Sequence, residues 1–184
     1  MPTNTGIYTK ADASVGHLHS ENLCNKLSQI LDKNIPIVDI GCGRGDYVQS
    51  LNIKGFNIKG IDGIKLPEHG ENIYIHDLTK PISIDKKCTV ISLEVGEHIP
   101  VQYEGTFISN LINNCNDTLV LSWAIEGQAG IGHINCKNND YIINALSKYG
   151  FNLQSDITND LRNVIEDNCD YFRRTLMFFK KYNG

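Results

Sequence analysis

Apolar residues along the chain alternate between helical and strand-length rhythms. Leu23, Leu27, Ile30 and Leu31 recur at helical spacing, and Ser20 followed by Glu21 offers an N-cap ahead of them. Residues 35–40 form a short apolar run cut off by glycines, the pattern of a buried strand, and a helix should start near Asp46. Further strand-length runs fall at residues 57–61, 72–75, 89–94 and 118–124. Residues 101–114 and 138–149 carry helical patterns, the second stopped by Gly150. Residues 151–154 and 173–180 predict two closing strands with a helix between, Arg173 and Arg174 decorating an edge strand that they would blunt. Strands alternating with helices imply an α/β fold, a mostly parallel sheet with helices on both faces. Such sheets bind ligands in the loops beyond the carboxyl ends of their strands.

Length and composition narrow the class. The 184 residues fit one domain, 1–184, with residues 1–19 as a polar N-terminal arm or lid. A hydrophobic share of 41% and a charged share of 21% exclude a disordered chain. The formal net charge of -4 argues against nucleic acid as a partner. The first ten residues hold no apolar signal core, and no apolar run approaches the ~20 residues of a membrane span. The expected setting is cytoplasmic, with no membrane partner. Cys24, Cys42, Cys88, Cys115, Cys136 and Cys169 are scattered with no C-x-x-C pair, so reduced thiols are expected rather than a zinc or redox motif.

The chemistry concentrates after the first strand, at Val38-Asp39-Ile40-Gly41-Cys42-Gly43-Arg44-Gly45-Asp46. Glycines at alternate positions let the backbone approach a ligand closely. A triphosphate loop needs Lys-Ser/Thr after its last glycine, and Asp46-Tyr47 stands there instead. The dinucleotide fingerprint needs a glycine where Asp46 lies, and a carboxylate there would repel a pyrophosphate. What remains is a nucleoside ligand without phosphates, one carrying positive charge.

This segment resembles motif I of the class I S-adenosylmethionine-dependent methyltransferases, and the likeness continues in order along the chain. Gly60-Ile61-Asp62-Gly63 resembles the acidic end of the second strand, and His76-Asp77-Leu78 the adenine-side motif after the third. Glu94-Val95-Gly96-Glu97-His98 resembles the E-V-x-E-H form of the fourth-strand motif, and Tyr149-Gly150-Phe151 before a late strand is also similar. The resemblance implies a Rossmann-like, seven-stranded sheet with its last strand antiparallel, and S-adenosylmethionine as cofactor. It implies cofactor contacts from Asp39, Gly41, Cys42, Gly43, Gly45, Asp62, Gly63, Asp77, Leu78 and Glu94. Asp62 would hold the ribose hydroxyls, Asp77 the adenine amino group and Asp39 the amino-acid end. Cys42 is expected to be a small turn residue rather than a reactive thiol.

A hydroxyl is a poor nucleophile at neutral pH, so its methylation calls for a base or a metal. His98, and with it His133, is the candidate base. The loop over residues 125–137 should overhang the acceptor, with Gln128 and Asn135 holding it. Trp123, just before it, is expected in the core. One branch of the family, acting on the 2′-hydroxyl at the 3′ ends of small RNAs, resembles this constellation and uses a metal. Its ligands would match Glu94, Glu97, His98 and His133, which suit a Mg or Mn ion. Tyr8, His17 and His19 are candidates for a lid. The expectation is an O-methyltransferase for a small molecule, a sugar or nucleotide sugar first. The alternatives are a metal-dependent RNA ribose 2′-O-methyltransferase and a non-catalytic binding subunit of the same fold; a homodimer is left open.

Overall fold

The structure, a computed structural model, describes Thr5, Ile7 and residues 18–182; Tyr8 and His17 lie outside the described residues. Helix α1 (Glu21–Ile30) begins where the pattern predicts, the Ser20 hydroxyl oxygen accepting the Leu23 N–H at 3.1 Å. From late in the chain the Glu166 carboxylate accepts the Asn22 N–H at 2.7 Å and the Ser20 hydroxyl. Strand β1 (Ile37–Ile40) is buried throughout and leads through the glycine turn into α2 (Asp46–Ile53). There follow β2 (Ile58–Asp62), β3 (Ile73–Ile75), β4 (Cys88–Leu93), α3 (Glu104–Asn114) and β5 (Cys115–Ser122). The chain then forms α4 (Asn139–Ser147), β6 (Phe151–Leu153), α5 (Ser155–Asn163), α6 (Phe172–Thr175) and β7 (Met177–Lys181).

The seven strands lie in the order β3-β2-β1-β4-β5-β7-β6, with β1 paired in parallel to both β2 and β4. Only β7 runs against the rest, antiparallel to β5 and to β6. Successive residues of one strand serve opposite faces. Val38, Val90 and Leu119 pack with Phe107 and Leu111 of α3, whereas Ile37, Ile91 and Val120 pack with Leu23 and Leu27 of α1 and Leu51 of α2. That is why the strands read as unbroken apolar runs: both sides are covered. The order reverses between β1 and β4, and the crevice at such a reversal is where this architecture binds ligands.

The end of the chain corrects the sequence pattern. Residues 173–175 are helical, and β7 starts only at Met177. Strand β7 is interior, so Arg173 and Arg174 decorate no edge; Arg173 Nη2 donates to Ile165 O at 2.6 Å and to Asp167 at 2.8 Å. The physical cue is the run Leu176 to Phe179, buried on both faces as only a central strand can be. Trp123 is core as expected: its indole N–H donates to Asn135 O at 2.7 Å and its ring meets Phe107 edge-on at 5.8 Å. All six cysteines are free thiols. Among the described residues no helix is long and apolar enough to cross a membrane.

Candidate active site

A cavity of about 330 Å³ opens at the carboxyl ends of β1, β2 and β4. The glycine turn forms one side. Gly41 has φ 84° and a Cβ there would meet Val95 at 2.4 Å, so only glycine fits. Asp62, the last residue of β2, is already engaged: its carboxylate accepts the Gly43 N–H at 2.8 Å and the Ile64 N–H at 3.1 Å. His69, which the sequence reading missed, braces the same turn through Nε2, 2.7 Å from Gly43 O, while Nδ1 accepts the Leu66 N–H at 3.3 Å. A carbonyl can only accept, so the proton sits on Nε2. Asp39 is 3% exposed at the floor; burial, then the Asp62 carboxylate, push its pKa up to about 8. Burial also pushes the Cys42 thiol far up, which suits a small turn residue and not a nucleophile.

Asp39, Gly41, Cys42, Asp62, Gly63, Leu78, Glu94, His98, Gln128 and His133 line the cavity. Gly43, Gly45, Asp77 and Asn135 are not on its wall. Asp77 sits in a turn, its Oδ1 accepting both the N–H of Thr79 at 3.0 Å and its hydroxyl at 2.6 Å. Asn135 is 5% exposed and its amide donates to Glu104 at 3.0 Å, so it braces the loop and does not hold an acceptor as expected. Tyr47, Tyr171 and Phe172 were not expected on the wall. Tyr47 is placed there by the first turn of α2; the other two come from a segment brought to the site only by folding.

The opposite side is built from the Glu94 to His98 segment and the 125–137 loop. Glu94 adopts φ 54°, leaving the strand just as β4 ends. Its N–H donates to Ser122 Oγ at 2.8 Å, and its Oε2 accepts the Gln128 amide at 2.8 Å. Gln128 therefore steadies Glu94. Glu97 is fully buried, and neither of its oxygens has a hydrogen-bond partner. Burial, then the Glu94 carboxylate, push its pKa well up. His98 Nε2 lies 3.8 Å from Glu97 Oε1 and His133 Nε2 4.0 Å from it.

The backbone settles which nitrogen of each ring is protonated. His98 Nδ1 lies 3.0 Å from Gly132 O and His133 Nδ1 3.0 Å from Gln128 O. Both Nδ1 atoms must donate to those carbonyls, so in the neutral rings both Nε2 atoms present lone pairs toward Glu97. Ligating atoms of Glu97, His98 and His133 all lie within 4.8 Å of one another. Imidazoles oriented by carbonyls through their other nitrogen are the usual support of a metal site. The donor set and the unpartnered Glu97 oxygens fit a divalent cation. Glu94, the fourth expected ligand, stands beside this group but is held by Gln128.

The chain matches no family model. It is 30% identical over 159 residues to a protein named ubiquinone biosynthesis O-methyltransferase from Rickettsia conorii, a match covering 78% of this chain and 51% of that protein. The chain thus spans about half the length of the curated relatives it matches. Among solved structures, the magnesium protoporphyrin IX methyltransferase of Synechocystis PCC 6803 with bound SAH superposes with a TM-score of 0.62 at 19% identity, over 94% of this chain and 86% of that one. The methyltransferase domain of a bacterial Hen1 protein (CtHen1-C) gives a TM-score of 0.60 at 17% identity, over 88% and 95%. These structural likenesses show a shared fold.

Proposed function

We propose that this chain is a class I S-adenosylmethionine-dependent methyltransferase and transfers the cofactor's methyl group to a hydroxyl oxygen of a small molecule. One juxtaposition carries the reading: the glycine turn with Asp62 and the two histidines His98 and His133 line a single cavity, with Glu97 buried behind the histidines. The cavity's volume is that of a small-molecule site. Its wall of carboxylates, Asp39, Asp62 and Glu94, suits a ligand with positive charges and no phosphates. S-adenosylmethionine supplies a methyl group activated on a sulfonium.

The chain's own work is alignment and proton removal. With both Nδ1 atoms committed to carbonyls, His98 Nε2 and His133 Nε2 are the atoms able to take an acceptor's proton, and the Glu97 carboxylate would stabilise the imidazolium so formed. With a Mg or Mn ion bound instead, Glu97, His98 and His133 would be the residues to hold it, the two Nε2 lone pairs then serving as ligands rather than as bases, with Glu94 adjacent. Such an ion lowers the pKa of a hydroxyl it binds.

The sugar preference loses its support. The amides meant to hold a sugar are spent on Glu94 and Glu104. Leu18, 45% exposed, and Ile131, 54% exposed, line the cavity's entrance instead. A hydroxyl carried on an apolar or aromatic body matches that wall better. The relatives' name, which refers to ubiquinone biosynthesis, points the same way. A second reading, a ribose 2′-hydroxyl of RNA, is favoured by the Glu97–His98–His133 cluster and opposed by the net charge of -4.

The test is incubation with labelled S-adenosylmethionine and a panel of phenols, sugars, nucleotide sugars and short RNAs, with and without chelator, reading methylated product by mass. Product from a phenol is expected. Product only from RNA selects the second reading, and product only from a sugar restores the first expectation. No binding of cofactor by calorimetry overturns the enzymatic reading altogether and leaves the binding subunit.

A further inference from the structure

The glycine turn is held from outside itself. Gly43 sits at φ 54° between Gly41 and Gly45, also at positive φ, so its peptide groups can turn freely unless something fixes them. The fixing groups come from β2 and from the chain that follows it. Ile61 O accepts the N–H groups of Gly41 at 2.7 Å and Cys42 at 3.2 Å, and the Asp62 carboxylate accepts that of Gly43 at 2.8 Å. Ile73, the first residue of β3, is packed so close to Gly45 that a Cβ there would meet it at 2.3 Å.

The crossing from β2 to β3 departs from the usual form. Parallel neighbours are ordinarily joined by about a dozen residues or more, most often through a helix. Here residues 63–72 make the crossing in turns alone. Leu66 anchors it by burial, and His69 ties it to the glycine turn. The ring's Nδ1 accepts the Leu66 N–H at 3.3 Å and its Nε2 donates to Gly43 O at 2.7 Å. Asp62 thus holds the N–H of Gly43 and His69 its carbonyl, one on each side of the same glycine. His69 is not on the cavity wall, whereas Cys42 and Arg44, the neighbours of Gly43, are.

We propose that His69 is a positioning residue for cofactor binding. Without touching the cofactor, it locks the Gly43 peptide and keeps Gly41, Cys42 and Arg44 in the shape that receives the nucleoside. This rests on the cofactor reading above. A Gly43 carbonyl released from the ring would have to turn to find another donor, and the glycines around it would let it turn. Asp62, which shares Gly43, would lose its placement along with it.

The experiment separates the two bonds of the ring. Glutamine places an amide N–H where Nε2 stands and keeps the bond to Gly43. Asparagine, one bond shorter, places its oxygen where Nδ1 stands and keeps only the bond from Leu66. The full chain and its variants are titrated calorimetrically with S-adenosylmethionine. His69→Ala and His69→Asn should weaken binding about five- to tenfold, roughly one hydrogen bond, while His69→Gln should stay within about twofold of wild type. Melting midpoints without cofactor report the stability of the crossing itself, and affinity should not follow them across the three variants. Affinity restored by asparagine and not by glutamine would place the effect in the anchor at Leu66 and overturn the assignment. Equal loss in all three variants, or none in any, overturns it as well. Each of these outcomes leaves the cofactor reading intact, whereas a wild-type chain that binds no cofactor overturns both.

Discussion

Glu97 is the residue on which the proposed chemistry turns. A fully buried carboxylate with two unpartnered oxygens is costly unless a proton or a cation meets it. Millimolar Mn should therefore raise the thermal midpoint of the wild-type chain and leave that of Glu97→Gln unmoved, as melting curves would show. His98→Ala or His133→Ala should cut turnover by roughly 100-fold or more, in the range of general acid–base effects, with cofactor affinity within about threefold. A parallel loss of affinity would assign the histidines to the cofactor. Asp39 makes a third prediction. Burial and the Asp62 carboxylate push its pKa up to about 8, which favours the neutral form of the unliganded group at pH 7; a cationic ligand favours the anion, so binding releases a proton. Affinity for the cofactor should rise with pH toward 8 and level off above it, and Asp39→Asn should flatten that profile. The sign for the unliganded fold is opposite. Since the folded pKa lies above the ordinary aspartate value, stability is greatest below that ordinary value and is lost as pH rises through about 8. At this scale Asp39, Asp62 and His98 were legible from motif and position. The tautomers of His98 and His133 were not, because carbonyls of Gly132 and Gln128 set them, and Asn135 was misread because Glu104, its partner, comes from another element.

Single elements hold the site through close contacts that leave no room for side chains. A Cβ on Gly130 would lie 2.1 Å from His133 Nε2. Gly130→Ala should move that ring, lowering turnover with little effect on the melting temperature. A drop in melting temperature matching that of a core mutation would show the loop to be structural instead. Helix α3 acts at a distance from the cavity. Asn110 accepts the Ile82 N–H at 2.8 Å and donates to Leu78 O at 3.0 Å and Lys80 O at 2.9 Å, pinning the segment that brings Leu78 to the wall. Asn110→Ala leaves those buried groups unsatisfied and should cost about 1–3 kcal/mol in denaturant unfolding. The existence of most elements was legible from apolar rhythm. Their ends were not: residues 101–103 form a separate tight turn before α3, and β5 begins at Cys115, directly after α3.

Across the whole molecule, the chain alone determined the alternation of strands and helices, the glycine turn and the carboxylate after β2. Those are local matters, set by which residues bury both faces and by backbone geometry that only glycine adopts. The motif Glu94 to His98 also named the segment where acceptor chemistry should lie. Tertiary structure decided the rest. It inserted β7 between β5 and β6, and so brought Tyr171 and Phe172, just ahead of that strand, to the cavity. It closed the Gly127–His133 stretch onto Glu97, bringing a loop histidine beside a carboxylate of the tight turn after β4. It also joined His19 to Tyr47, completing the cavity from before the first helix. The physical reason is common to all three: each is a meeting of side chains far apart in sequence, which no local rhythm encodes and which exists only once the sheet has stacked its helices on both faces.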